Sequence, residues 1–311
     1  MAAAGLVMAG AICTLVQVNE KVETMKEQSP ISRQADGLAG YSSAPINRQL
    51  GLMFLHHSVG EQWLADRDGV AGNIHANGGG LRRALESNGY RVHDATYGSR
   101  LGEKTDLFDW LPKFTDHLNE VVQTAHQDDL LPEGERSQIV LFKSCYPNSY
   151  FKAQGAEPGN PNGPDLTVAN ARASFRALLP ILARSPTTLF VFVTTPPVVG
   201  GSIRERLGKV LVKLLLGRPL AAERLSQQAR LAREFRDWII APDGWLASYP
   251  LKNVVVFDYY GVLTKQGTSL FLEYPSSDGR NNHPNTQGNQ AATAELAPFL
   301  NRAVRRMGLG E

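Results

Sequence analysis

Cysteine is nearly absent from this sequence, which has only Cys13 and Cys145 in 311 residues. Cys13 lies in an apolar N-terminal stretch, so the body of the chain carries a single thiol. That excludes a disulfide framework there, and no CxxC pair is present to hold zinc. Strong net charge is also missing. The formal charge is +2, and no Lys/Arg run with interleaved aromatics occurs, so nothing calls for nucleic acid. Internal repeats are absent too. Finally, Ala2 to Val18 carry no charge. That length suits a signal-peptide apolar region or a short membrane anchor, although no basic residues precede it. Gly10-Ala11-Ile12-Cys13 is a poor lipoprotein box, because Ile stands where a small residue is needed. The expectation for 1–18 is export or membrane anchoring; an N-terminal helix packed on the domain is the alternative.

Apolar residues make up 42% and charged residues 20%, a balance that supports a well-packed soluble core. Residues 19–48 are polar and mixed and read as a linker, leaving 49–311 as the folded domain. There, short apolar runs alternate with helical patterns. Strands are expected at 50–55, 90–95, 138–143, 188–194 and 253–258. Leu50-Gly51-Leu52-Met53-Phe54-Leu55 has no polar position, as expected of a strand buried on both faces. Helices are expected at 81–88, 106–126, 168–183, 203–240 (broken at Gly217-Arg218-Pro219) and 293–307. This alternation predicts an α/β fold, a doubly wound five-stranded parallel sheet with helices on both faces. Ligands bind such sheets beyond the carboxyl ends of the strands. The loops to inspect are therefore 56–60, 96–102, 144–149, 194–202 and 258–290.

Three of these loops hold side chains suited to one chemistry. Ser58 directly follows the first strand, Asn148 follows the third, and His283 lies just before the last helix. A serine hydroxyl becomes a nucleophile when a base accepts its proton. His57 is a poor base for Ser58, since neighbours on an extended chain point to opposite sides. His283, remote in sequence, can be brought to the same sheet edge. The oxyanion that develops then needs fixed donors, for which the Ser58 N–H, the Gly98 N–H and the Asn148 amide are candidates.

In its order of blocks the chain resembles the SGNH/GDSL hydrolases over residues 50 to 305: Ser after the first strand, Gly after the second, Asn after the third, and a late His. His56-His57-Ser58 stands where that family has Gly-Asp-Ser, and Lys143-Ser144-Cys145-Tyr146-Pro147-Asn148 stands for its Gly-x-Asn-Asp. The resemblance implies a three-layer, flavodoxin-like fold and a serine esterase with Ser58 as nucleophile and His283 as base. It also implies Gly98 and Asn148 as oxyanion donors and no metal or organic cofactor. The expected substrate is a glycan ester or small ester; an O-acyltransferase or a non-catalytic glycan-binding domain are the alternatives. One departure concerns the third catalytic member. The family places Asp three residues before the His, where this chain has Arg280. Asp278 is taken as the provisional partner, with Asp258 or a backbone carbonyl as alternatives.

Other features have plainer readings. His56 and His57 have no spaced carboxylate to complete a metal site. Cys145 reads as a small apolar filler rather than a nucleophile. Ile203 to Leu216 could form a basic amphipathic helix, acting as a lid or substrate-side wall, or simply a packed helix.

Overall fold

The computed structural model describes residues 37–68, 73–200 and 219–310. The expected N-terminal segment 1–18, most of the expected linker, and the candidate lid at 203–216 lie outside the described residues. In chain order the elements begin with β1 (Leu50–Leu55), α1 (Ser58–Leu64), α2 (Leu81–Glu86), β2 (Tyr90–Ala95) and α3 (Trp110–Gln123). Next come β3 (Thr124–His126), β4 (Asp129–Leu130), β5 (Ile139–Lys143), α4 (Val168–Leu182) and β6 (Leu189–Val193). The chain closes with α5 (Ala221–Ile240), β7 (Val254–Phe257), α6 (Tyr259–Leu263), β8 (Pro275–Ser276), β9 (Asn281–Pro284) and α7 (Thr286–Arg306).

The sheet has seven strands in the order β4-β3-β2-β1-β5-β6-β7. All neighbouring pairs are parallel except β3–β4. The five expected strands are all present, and the count differs at one edge. There α3 stops at Gln123 instead of 126, and Thr124 enters the sheet. Gln127, at φ 53°, reverses the chain into β4. That short antiparallel ribbon leaves no long apolar run for the sequence to reveal.

Burial explains why β1 is so apolar. Every residue from Leu50 to Leu55 is buried, and successive side chains alternate between two cores. Leu50, Leu52 and Phe54 join Trp63 of α1, Leu85 of α2, and Leu296 and Leu300 of α7. Met53 and Leu55 join Phe114 of α3, Phe175 of α4 and Phe235 of α5. The result is three layers, helix–sheet–helix. Truncating an anchor such as Phe54 or Trp63 to Ala costs about 3–5 kcal/mol in a core of this kind.

Helix starts follow local capping. Thr167 caps α4 by accepting from the Asn170 N–H at 3.2 Å. Asn285 caps α7 by accepting from the Gly288 N–H at 3.0 Å, so that helix begins at 286, seven residues before its expected start. The 37–48 part of the expected linker packs on the domain: Leu38 and Ile46 are buried in the core, and Arg305 donates to the Ser42, Ala44 and Pro45 carbonyls. Among the described residues no helix is long and apolar enough to cross a membrane.

Candidate active site

β1 delivers its chain to the carboxyl edge of the sheet, and α1 starts at Ser58. His57 precedes the helix in extended conformation, φ −122° and ψ −163°. The turn is tight because His56 folds under it. A Cβ at Gly60 would stand 2.4 Å from the His56 Cβ, so only glycine fits there. His56 Nδ1 donates to the His57 carbonyl at 3.0 Å, and its Nε2 lies 3.5 Å from Asp94 Oδ2. Asp94 also accepts from Arg82 at 2.5 Å. Burial works to raise the Asp94 carboxyl, but the His56 and Arg82 contacts outweigh it and hold the group well below the usual carboxylate range. His57 turns the other way. Its Nε2 donates to the carbonyls of Gly102 at 2.9 Å and Glu103 at 3.0 Å, and its ring stacks on Tyr97 at 3.8 Å between centroids. Both histidines brace the turn.

His283, the expected base, arrives from the opposite side. His283 Nε2 lies 2.8 Å from Ser58 Oγ, across 225 residues of sequence. Its other nitrogen, Nδ1, meets Asn281 Oδ1 at 2.7 Å. The same Asn281 oxygen accepts from the His283 backbone N–H at 3.1 Å. A backbone N–H can only donate, so the Asn281 atom facing it is the oxygen, and Nδ1 must carry the imidazole proton. That leaves the Nε2 lone pair to accept from the Ser58 hydroxyl, the tautomer a general base needs.

Asn281 was not anticipated, and the provisional acid is elsewhere. Asp278 pairs with Arg280 at 3.4 Å on the exposed tip of the hairpin. Asp258 is engaged by Arg236, at 2.9 Å from its Nε, and caps α6. The reason is geometric. His283 lies on strand β9, where side chains two apart share a face, so residue 281 stands beside it. An acid three or five residues earlier would need a turn instead. Asn282, on the other face, pins the hairpin by accepting from the Val199 N–H at 2.8 Å and donating to the Tyr150 hydroxyl at 3.0 Å.

Two expected oxyanion donors are committed elsewhere. The Gly98 N–H donates to Glu103 Oε2 at 2.8 Å. Asn148 bridges two loops: its amide nitrogen donates to Asp106 at 2.7 Å, and its oxygen accepts from the Leu107 N–H at 2.8 Å. Its side chain therefore serves as a loop staple. The Ser58 N–H belongs to the first residue of α1, where no preceding helical carbonyl can accept it.

Beneath Ser58 the floor is unusual. Cys145 Sγ lies 3.8 Å from Ser58 Oγ, and Lys143 is fully buried with its ammonium donating to the Ser144 carbonyl at 3.3 Å. Burial pushes the Lys143 pKa down to about 8, against the pull of Cys145. Burial lowers the His283 pKa as well, helped by the neighbouring Lys143 and His75. Tyr146 packs edge-on against the His283 ring at 5.3 Å. Among the described residues no group of three or more His, Cys, Asp or Glu side chains is placed to hold a metal ion.

No protein-family model and no curated protein matches the sequence. Among solved structures, the chain is similar to the acetylxylan esterase Axe2 from Geobacillus stearothermophilus, with 11% identity over 85% of this chain and 96% of that one, at a TM-score of 0.41. It is also similar to LAE5, an alpha/beta hydrolase enzyme from the metagenome of Lake Arreo, Spain, with 12% identity over 87% of this chain and 99% of that one, at a TM-score of 0.41. The chemistry of the site rests on this chain's own residues.

Proposed function

We propose that this protein is a serine esterase of a divergent SGNH/GDSL kind, working through an acyl-enzyme on Ser58. The observation that carries the reading is the 2.8 Å contact between Ser58 Oγ and His283 Nε2, with Nδ1 protonated against Asn281. As Ser58 Oγ attacks an ester carbonyl, its proton passes to His283 Nε2. The negative oxygen that forms meets the Ser58 N–H. The imidazolium then gives its proton to the leaving alcohol, and the acyl group stays on Ser58. A water, deprotonated by the same nitrogen, repeats the steps in reverse and releases the carboxylic acid.

Asn281 does half the work of an acid. It sets tautomer and orientation, but its neutral amide adds no charge to stabilise the imidazolium. The proposed substrate is a short acyl ester on a carbohydrate, following the family resemblance. Transfer of the acyl group to a second hydroxyl in place of water uses the same residues. A second reading, a glycan-binding domain without turnover, is favoured by the diversion of the Gly98 N–H and the Asn148 amide to Glu103 and Asp106. Hydrolysis of p-nitrophenyl acetate decides between them. The esterase reading expects turnover by the wild type, none above background for Ser58→Ala, and a fluorophosphonate adduct mapped to Ser58. Turnover insensitive to Ser58→Ala, or no adduct at Ser58, would remove the esterase reading.

A further inference from the structure

Behind the turn that carries Ser58 lies a cavity of about 380 Å³ that the proposed chemistry does not use. Residues of α1, α2 and β2 line it, and none of Ser58, Asn281 and His283 does. His56 and Asp94, only 1% and 9% exposed, form its inner end, while Glu61, Asp68 and Glu86 are exposed at its rim. In all, five carboxylates and two guanidiniums line it. The chain as a whole carries a formal +2, so this concentration of negative charge is local.

Both guanidiniums already have partners. Arg82 pairs with Asp94 at 2.5 Å and Arg83 with Asp66 at 2.8 Å. Glu61, Asp68 and Glu86 form no ion pair among the described residues, so three like charges share one cavity uncompensated. Like charges held together repel, and a bound cation relieves that repulsion. The inner end lacks a partner too. His56 Nδ1 donates to the His57 carbonyl at 3.0 Å, which leaves Nε2 as an acceptor with no hydrogen bond. Asp94 Oδ2, 3.5 Å away, accepts none among the described residues either, since Arg82 donates to Oδ1. Two acceptors side by side at a buried end call for a donor between them.

We propose that this cavity binds a linear organic polycation of the polyamine class, with one ammonium at Asp94 Oδ2 and His56 Nε2 and another among the rim carboxylates. An ammonium supplies N–H donors and positive charge together, which are what the two ends of the cavity lack. A metal ion fits less well. Among the described residues no three His, Cys, Asp or Glu side chains are placed to hold one, so the carboxylates are spread out rather than gathered. Charges spaced along a chain suit that spread, and Leu64 in the lining supplies an apolar contact for the methylenes between them. The volume is that of a small-molecule site. The ligand rests on His56, which packs under Gly60 in the Ser58 turn, but the site is separate from the Ser58–His283 pair and does not depend on the esterase reading.

Calorimetric titration of the full chain with spermidine, at fixed pH and ionic strength, tests the site. The expected result is saturable binding of one spermidine, with magnesium chloride at the same ionic strength giving neither saturable heat nor competition. Glu61→Gln combined with Glu86→Gln removes two rim charges at exposed positions and should weaken binding about tenfold, with the thermal midpoint close to wild type. Asp116→Asn combined with Glu133→Gln removes the same charge from exposed positions outside the lining and should leave Kd within about twofold. Absence of saturable spermidine binding overturns the proposal. Undiminished affinity in the Glu61 and Glu86 variant, an equal loss in the Asp116 and Glu133 variant, or displacement by magnesium also overturns it, because each reduces the effect to general counterion attraction. None of these readouts uses turnover at Ser58, so failure here leaves the esterase reading untouched, and failure of that reading leaves this site standing.

Discussion

The proposed nucleophile, Ser58, and its proposed base, His283, sit on regions of opposite character. Ser58 follows a strand buried along its whole length, and its turn is locked by His56 beneath Gly60. His283 sits on a short hairpin whose residues 277–281 are all exposed. Ser58 is thus held by the core, and His283 is held by a few polar contacts: Asn281 on its ring, and Asn282 tying the hairpin to Val199 and Tyr150. Precision on a surface hairpin must come from hydrogen bonds, because no packed core is there to supply it.

The largest effect comes from separating the two regions. Ser58→Ala and His283→Ala should each lower kcat by about 10⁴-fold or more, and the double variant should be scarcely worse than either single one, because the pair acts as a unit. Multiplying losses in steady-state kinetics would break the link between them. The elbow should be the more sensitive region in stability. Gly60→Ala drives a Cβ into His56 and should cost about 1–3 kcal/mol in denaturant unfolding; an unchanged midpoint would show that the turn is not locked as described.

The hairpin should instead reveal itself in pH dependence. His283 works as a base only when neutral, and burial lowers its pKa from the ordinary imidazole value, so the acid limb of kcat/KM should lie at lower pH than a free imidazole would set. Asn281→Asp places a carboxylate on Nδ1, favours the imidazolium and should move that acid limb upward by about one pH unit. An unmoved limb would mean that residue 281 does not govern the base. The smallest effect belongs to Asp278→Ala, which should leave kcat/KM unchanged and stability within about 0.5 kcal/mol, as for an ordinary exposed position.

The same contrast separates what the sequence discloses from what it conceals. Buried strands declare themselves because each residue must be apolar, and Leu50–Leu55 and Leu189–Val193 fall within a residue of their expected bounds. Ser58 was legible as the residue ending such a run. His283 was legible as a late histidine on a loop at the correct edge. Its partner was not, since the choice among Asp278, Arg280 and Asn281 depends on whether that stretch turns or extends, and a four-residue polar strand such as Asn281–Pro284 carries no hydrophobic signal. Gly98 lies in a loop and Asn148 in a short 3-10 turn, Tyr146–Ser149, and the direction of their N–H and amide is set by partners such as Glu103 and Asp106 that composition cannot reveal.

The central claim is that Asn281, a neutral residue, holds His283 as a working base for Ser58. A 15N-resolved NMR titration of His283 tests it most directly, because it reads tautomer and pKa together without any substrate. The account predicts a neutral ring protonated on Nδ1, with Nε2 free toward Ser58, a pKa lowered from that of a free imidazole, and a rise in that pKa in Asn281→Asp. A neutral ring protonated on Nε2, or a pKa indifferent to the substitution, would contradict it.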